Sequence, residues 1–272
     1  MSDRAQAHDT PAALLAFAHR LVDETDPLAM DYFAGELTIT AKHDRSLVTQ
    51  ADTGIETLLR ERITASFPDH GVLGEEFGSE AAGAETRWVI DPIDGTHNFV
   101  RGIAVWATLI AVEQAGELVA AVVSAPALGQ RWAAVRGGGA MTRFAGAERG
   151  VHVSTVDQLS RAQLLFSTLR SLEAKGYGEA LRRLVGGAWR DRGFGDFWGY
   201  MLVAQGSAEA MIEVGPTVWD LAAPALILAE AGGLMTDFAG NASYAGPTAL
   251  ATNALLHDLV VAELAEDGAP RS

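Results

Sequence analysis

The chain has 272 residues, of which 49% are hydrophobic and 20% charged, with a net charge of −15 and no cysteine. This composition is typical of a globular chain with a large core. It excludes disulfides and thiolate zinc sites, and its negative charge argues against nucleic acid as a partner. The longest uncharged apolar-rich run, Leu118 to Leu128, is far shorter than the roughly 18 residues of a membrane helix. No secretory signal pattern opens the chain, so we expect a cytoplasmic protein without a membrane partner.

The first predicted elements are a helix, a short strand and a second helix. Thr10-Pro11 is a helix start, and the apolar spacing that follows predicts an amphipathic helix towards Phe33. Alternation around Ile39 predicts a strand, which leads into a polar loop, Lys42–Ser46. The next helix ends before Pro68 and carries Asp52 in its first turn. The carboxylate of Asp52 either stabilises the helix N-terminus electrostatically or belongs to a functional site.

Two further strands are predicted to end in acidic residues. Val72-Leu73 precedes Gly74-Glu75-Glu76, and Trp88-Val89-Ile90 precedes Asp91. Sheets of α/β proteins build sites from residues at strand ends in one crevice. Glu75 and Asp91 are therefore expected to meet.

The segment Asp91-Pro92-Ile93-Asp94-Gly95-Thr96 is the centre of the predicted site. Proline is expected to stop the strand, Gly95 to allow a tight turn, and Thr96 to cap a helix. Asp91 and Asp94 are like charges that need a cation between them or a proton, and carboxylate ligands favour magnesium. The amides of Gly95 and Thr96, at a helix N-terminus, suit a phosphate. The alternative is a plain acidic surface turn.

The middle of the chain predicts a β-hairpin and a further strand. The hairpin strands are Val105–Val112 and Leu118–Ser124, joined by a turn at residues 114–117, and Arg131–Val135 adds a strand. Gly137-Gly138-Gly139 favours a turn over a phosphate loop. Near residues 143–153 we place a boundary between an N-terminal α+β half (1–145), with most metal ligands, and a C-terminal α/β half (146–272).

The C-terminal half is predicted to alternate strands and helices, as mixed α/β layers do. Strands are expected at 163–167 and 208–214, and helices at 177–185, 196–205 and 221–231. Glu213 lies at a strand end before Gly215-Pro216. Asp220 opens the last helix, either as a plain cap or as a site acid, and Pro224 is expected in the first turn of that helix.

Together these segments resemble the inositol monophosphatase superfamily of magnesium-dependent, lithium-sensitive phosphatases, over roughly residues 10–265. The resemblance is carried by the following motifs: Val48-Thr49 with Asp52, Gly74-Glu75-Glu76, Asp91–Thr96, and Trp219-Asp220 with the helix end Ala231-Gly232-Gly233. It implies a layered α/β/α/β/α sandwich of the inositol monophosphatase and fructose-1,6-bisphosphatase type.

The resemblance also implies the roles of the site residues. Glu75, Asp91 and the backbone oxygen of Ile93 would hold one metal, and Asp91, Asp94 and Asp220 a second. Asp52 and Thr96 would orient the attacking water near Glu75, and the amides of Gly95 and Thr96 would bind the phosphate. Two or three Mg²⁺ ions per subunit and a homodimer are implied, with a small phosphorylated metabolite as substrate.

Four segments further resemble the actinobacterial histidinol-phosphate phosphatases of histidine biosynthesis. These are 74–78, 105–111, 123–128 and the stretch Trp189–Phe197. Arg192, Asp196 and Glu213, with Asp94 and Asp220, would line the substrate side, where acids could meet the ammonium and imidazole of histidinol phosphate. Alternatively, Asp196 caps its helix and Arg192 pairs with a surface acid.

The sequence departs from the branch at two positions and from the wider family at one. His97 replaces the branch's usual lysine and Leu47 a common proline, whereas Ser46 stands where inositol monophosphatases often carry an acid. The change at Ser46 puts a third metal site in doubt. Two other functions stay open: an inositol-1-monophosphatase or broad sugar-phosphate phosphatase, and a catalytically idle regulator that binds phosphorylated ligands.

Overall fold

The structure is a computed structural model that describes residues 9–41 and 47–267. The chain forms two compact units that divide between Arg149 and Gly150. Within the described ranges, no helix has both the length and the apolar character needed to cross a bilayer. The polar loop predicted at Lys42–Ser46 lies outside these ranges.

The first unit is built on an eight-stranded sheet. Its helices are α1 (Pro11–Ala34), α2 (Gln50–Ser66) and α3 (Thr96–Val100). Its strands are β1 (Ile39–Ala41), β2 (Leu47–Thr49), β3 (Gly71–Gly74), β4 (Gly78–Glu80), β5 (Thr86–Asp94), β6 (Ala107–Gln114), β7 (Glu117–Ala125), β8 (Gln130–Val135), β9 (Gly139–Phe144) and β10 (Ala147–Gly150). The sheet order is β10-β9-β8-β7-β6-β5-β3-β4, and β1 pairs separately with β2. β3 runs parallel to β5, whereas β5 through β9 are successively antiparallel.

The two long helices of this unit form as the sequence predicts. The hydroxyl of Thr10 accepts a hydrogen bond from the amide of Ala13, and Pro11 occupies the first helical position of α1. The helices bury their apolar stripes with Trp88 and Ile90 of β5 in one core. The stripe residues include Leu14, Leu21 and Val22 of α1 and Ile55, Leu59 and Ile63 of α2. The predicted hairpin is also confirmed, with Ala115 and Gly116 as its two-residue turn.

The second unit is built on a five-stranded mixed sheet in the order β12-β11-β13-β15-β14. Its strands are β11 (Gln163–Phe166), β12 (Arg190–Arg192), β13 (Ala210–Val214), β14 (Leu234–Thr236) and β15 (Thr248–Thr252). Its helices are α4 (Leu169–Ala174), α5 (Gly178–Gly187), α6 (Asp196–Ala204), α7 (Val218–Glu230) and α8 (His257–Asp267). Ala210 and Ile212 of β13 share a core with α4, α5 and α8. Met211, on the opposite face of β13, lies against Gly199 of α6, so helices cover both faces of the sheet.

Four local predictions are wrong. β5 does not stop at Asp91 but continues through Pro92 to Asp94. Thr96 is the first residue of α3 rather than its cap, a position that Gly95 takes. Asp220 is likewise not the cap of α7, because the helix begins two residues earlier, at Val218. Pro224 consequently lies in the second turn of that helix instead of the first.

Candidate active site

A β-bulge brings Asp91 and Asp94 onto the same face of β5. Asp91 pairs with Leu109 of β6 and Asp94 with Ala107, so two residues of β5 lie opposite the single residue Thr108. Without the extra residue, side chains three positions apart would point to opposite faces of the strand. The hydroxyl of Thr108 donates to the carbonyl oxygen of Pro92 at 2.9 Å and so binds the bulge. Carboxylate oxygens of Asp91 and Asp94 lie within 4.8 Å of one another.

Glu75 follows β3 at the edge of the sheet where Asp91 lies. β3 and β5 are parallel, and Gly74 pairs with Ile90. The next residues of the two strands, Glu75 and Asp91, therefore emerge side by side, as the sequence predicts for two strand ends. Asp91 is 1% exposed and Asp94 7% exposed, and burying two such like charges is unfavourable without a counter-charge. All the candidate side-chain metal ligands are carboxylate oxygens, and such a set fits a hard divalent cation.

The turn after β5 places Thr96 between two acceptors. Gly95 has φ 87°, a left-handed conformation that favours glycine, and its carbonyl accepts from the amides of Asn98 and Phe99. The hydroxyl of Thr96 lies 3.0 Å from the carbonyl oxygen of Ile93 and 3.3 Å from Oδ1 of Asp52. Since a hydroxyl carries one proton, it can donate to only one of these acceptors at a time.

Asp52 is fully buried and uses its two carboxylate oxygens differently. Oδ2 accepts from the amide of Thr49 at 2.7 Å and from the Thr49 hydroxyl at 2.6 Å, which forms a capping box at the start of α2. Oδ1 faces the hydroxyl of Thr96. Burial raises the pKa of Asp52 above its usual range, against the opposing effect of the hydrogen bonds from Thr49 and Thr96. Asp52 thus has both of the alternative roles: it supports the helix and contacts the predicted catalytic threonine.

The second unit holds its own acidic group, made of Asp196, Glu213 and Asp220. Oδ2 of Asp220 accepts from the amide of Thr217, the N-cap of α7, at 2.6 Å and from its hydroxyl at 3.0 Å. The hydroxyl of Tyr200 donates to Glu213 at 2.5 Å. Burial raises the pKa of Glu213 to about 8, and the charges of Asp196 and Asp220 add to the rise, although the bond from Tyr200 lowers it. The ligand role of Asp220 stays a prediction.

Within the part of the chain that the structure describes, Asp196 does not cap its helix and Arg192 forms no ion pair with an acid, so the alternative that the sequence left open is not adopted there. Asp196 is the first residue of α6, not its cap, and has φ 55°, a rare backbone conformation for a residue other than glycine. Such conformations are found disproportionately at functional sites. The exposed Arg192 donates to the backbone oxygen of Asp191 at 2.7 Å.

Sequence reasoning did not assign an orienting role to the residues that hold these acids, although Thr49 belongs to one of the family motifs. Thr49 and Thr217 each precede their aspartate in a Thr-x-x-Asp pattern, a capping-box signal that could have identified them. Tyr200 lies one helical turn after Asp196, a spacing that places both on one face of α6. His97 is exposed and Leu47 half-buried, whereas Ser46 lies outside the described residues.

Comparison with known proteins identifies the family of this chain. The sequence matches the Inositol monophosphatase family over residues 11–268. It is 44% identical over 250 residues to a histidinol-phosphatase of Streptomyces coelicolor, covering 90% of this chain and 94% of that protein. It is 43% identical over 252 residues to a histidinol-phosphatase of Mycobacterium tuberculosis, covering 92% and 97%.

The fold is similar to that of the extragenic suppressor protein suhB from Bartonella henselae. The TM-score is 0.85 at 26% sequence identity, and the match covers 93% of this chain and 98% of that one. This likeness confirms the predicted α/β fold class. The chain belongs to the inositol monophosphatase family, and it is a phosphoric monoester hydrolase.

Proposed function

We propose that this protein hydrolyses L-histidinol phosphate to L-histidinol and phosphate with the help of magnesium. The observation that carries the proposal is the bulge in β5, which aligns Asp91 and Asp94 beside Glu75 and next to the Thr96–Asp52 pair. The high identity to two histidinol-phosphatases supports the substrate.

The oxygen donors of the site would hold the metal ions. Glu75, Asp91 and the backbone oxygen of Ile93 would bind one magnesium ion, and Asp91, Asp94 and Asp220 a second. Bound magnesium would lower the pKa of water and offset the negative charge of the reacting phosphate. The number of ions, a homodimeric assembly and a cytoplasmic location stay predictions from the sequence.

Thr96 and Asp52 would move the proton of the attacking water. When the carbonyl of Ile93 serves as a ligand, the Thr96 hydroxyl would donate its proton to Oδ1 of Asp52, which lies 3.3 Å away. A lone pair of the Thr96 hydroxyl then accepts from the water, which attacks phosphorus as the bond to the alcohol oxygen breaks. The leaving alcohol oxygen takes up a proton from solvent water. The raised pKa of Asp52 makes it a better base than an exposed aspartate. The amides of Gly95 and Thr96 would hold the phosphate oxygens.

The acidic group of the second unit would select the alcohol side of the substrate. Asp196 and Glu213, with Asp94, Asp220 and the neighbouring Arg192, would line this side. A carboxylate that meets the substrate ammonium forms a charge-assisted hydrogen bond worth about 1.5–3 kcal/mol. That energy corresponds to a preference of roughly tenfold to more than a hundredfold over a neutral polyol phosphate.

The test is a comparison of kcat/KM for histidinol phosphate and inositol 1-phosphate, with and without Mg²⁺. We expect activity only with the metal and a preference for histidinol phosphate of at least about tenfold, which Asp196→Asn should reduce. Asp91→Asn should lose more than about nine-tenths of the activity, or roughly 1.4 kcal/mol of barrier stabilisation.

Equal kcat/KM values for histidinol phosphate and inositol 1-phosphate would favour a broad sugar-phosphate phosphatase. No turnover of any phosphate ester would favour a phospholigand-binding regulator.

A further inference from the structure

A buried carboxylate on α2, Glu56, binds the backbone of the turn that carries Glu75. Glu56 is 0% exposed. Its Oε2 accepts from the amide of Glu76 at 2.8 Å, and its Oε1 accepts from the amide of Phe77 at 3.1 Å. Glu56 thus holds the two amides that directly follow Glu75 in the turn between β3 and β4.

Arg60, one helical turn further along α2, contacts the same turn at its other end. Its guanidinium donates to the carbonyl oxygen of Gly78 at 2.5 Å and lies 5.8 Å from the centre of the Phe77 ring. Nε of Arg60 also donates to Oε1 of Glu56 at 2.9 Å, and Nη2 forms an ion pair with the same oxygen at 2.8 Å. Three hydrogen-bond donors and an ion-pair contact therefore surround the two oxygens of Glu56, which identifies Glu56 as a structural acceptor and not a metal ligand.

Gly74 provides the room for this arrangement. A Cβ atom at Gly74 would overlap the carboxylate of Glu56, and the three nearest atoms to it all belong to that side chain. The carboxylate therefore packs directly against the last residue of β3, immediately before Glu75.

We propose that Glu56 is a positioning residue that sets the place of the Glu75 carboxylate at the metal site. This inference rests on the proposed function, in which Glu75 is a metal ligand. Groups that orient metal ligands affect metal binding without touching the ion. Glu56 follows Asp52 by one turn of α2. This one helix therefore carries Asp52, the proposed base, and also binds the turn that contains Glu75, a proposed metal ligand.

The experiment measures Mg²⁺ binding to the full chain by titration calorimetry, without substrate, so that the readout does not depend on turnover. Glu56→Gln keeps the side-chain shape but removes the charge, and we expect it to weaken Mg²⁺ binding by about 10–100-fold. Glu61→Gln is the matched control, because Glu61 is an exposed glutamate on the same helix. The control should bind within about twofold of the wild type. If Glu56→Gln folds and its affinity for Mg²⁺ is as close to that of the wild type as the affinity of the control, the proposal is overturned.

A second variant perturbs Glu56 without changing any charge. Gly74→Ala displaces the Glu56 carboxylate by steric overlap and should weaken Mg²⁺ binding in the same direction. If Glu56→Gln does not fold, Glu56→Asp takes its place. Glu56→Asp keeps the charge but withdraws the carboxylate by one methylene, and it too should bind Mg²⁺ more weakly than the wild type. Wild-type affinity in the folded Glu56 variant contradicts a positioning role by itself, and wild-type affinity in Gly74→Ala also counts against it.

Glu75→Gln separates the inference from the function on which it rests. If Glu75→Gln binds Mg²⁺ as the wild type does, the metal role of Glu75 fails, and the proposed function fails with it. If Glu75→Gln loses affinity while the Glu56 and Gly74 variants keep theirs, only the positioning role is overturned. Loss of affinity in all three supports both.

Discussion

Asp52 and Asp220 are oriented by the same local arrangement at the start of two different helices. Each lies at the third helical position after a threonine cap, and each uses Oδ2 to accept from that threonine's amide and hydroxyl. A capping box fixes the side-chain rotamer through one oxygen. Helix capping and catalysis are therefore not competing explanations for these residues, because the cap contact is what orients the acid.

Asp220→Asn tests whether orientation or charge matters at this position. The amide oxygen of asparagine can still accept from Thr217, so the metal-free protein should lose only the helix-dipole contribution, about 0.3–1 kcal/mol. That loss lowers the melting temperature by no more than about 4 °C. If Asp220 is a metal ligand as proposed, activity should fall by at least about tenfold, because the variant lacks one ligand charge. A variant with both its melting temperature and its activity intact would show that Asp220 only supports the helix.

Glu213 should make the stability of the metal-free protein depend on pH. Its pKa is raised from 4.5 to about 8 in the folded state. The folded state therefore holds this proton more tightly than the unfolded state, so the stability contribution is complete below about 4.5 and is lost as the pH rises through 8. Thermal unfolding of the wild type and Glu213→Gln between pH 5 and 9 checks this. The variant, which has no carboxyl group to ionise, should gain melting temperature relative to the wild type as the pH rises.

The control for that comparison is Glu61→Gln, which changes an exposed glutamate. Its melting temperature should follow the wild type across the whole range. Parallel curves for Glu213→Gln and the wild type would mean that Glu213 is already ionised near neutral pH.

At the scale of elements, the sequence predicted the acids at the strand ends but not the bulge that aligns two of them. Proline is a sound signal for the end of a strand, because it cannot donate to the ladder. Pro92 nevertheless lies inside β5, at the bulge, one of the positions where a sheet tolerates proline. The pairing of β5 with β6 depends on contacts that the local sequence of β5 does not specify.

Short polar strands were also beyond sequence reasoning. β12 consists of Arg190, Asp191 and Arg192, which show no apolar alternation and give no strand signal. It forms because β11 offers a parallel edge in register. Long elements such as α1 and β7 were predictable, because α1 has a helical apolar period and β7 is a continuous apolar run.

The turn of the hairpin between β6 and β7 offers a test of local strain. Ala115 has φ 50° and Gly116 φ 83°, and two-residue hairpin turns with both φ positive favour Asn-Gly. Alanine in the left-handed region costs about 1–2 kcal/mol, whereas asparagine tolerates it better. Ala115→Asn should therefore raise the melting temperature by roughly 2–4 °C. Ala82→Asn is the control at an exposed alanine outside the left-handed region, and it should bring no gain. A lower melting temperature for Ala115→Asn would contradict the strain argument.

At the scale of the whole molecule, the family could be predicted because its motifs occur in a fixed order along nearly the entire chain. The match over residues 11–268 and the likeness to a solved suhB structure confirm that prediction. The substrate could not be fixed in the same way, because it depends on a few side chains. Tyr200 orients the carboxylate of Glu213, and the unusual backbone conformation of Asp196 orients its own side chain. Neither feature gives a recognisable pattern in the sequence.

The net charge of −15 should make the capture of an anionic substrate dependent on ionic strength. Two magnesium ions would reduce the charge only from −15 to −11, so a phosphate dianion is still repelled at long range. The Debye length falls from about 30 Å at 0.01 M salt to about 8 Å at 0.15 M. With Mg²⁺ held constant, kcat/KM for a small generic phosphate ester should rise by about twofold or more over this range of an inert monovalent salt. Histidinol phosphate should show a smaller rise, because its ammonium offsets part of the phosphate charge. A fall in kcat/KM for both substrates would mean that a locally positive site, and not the net charge, governs their approach.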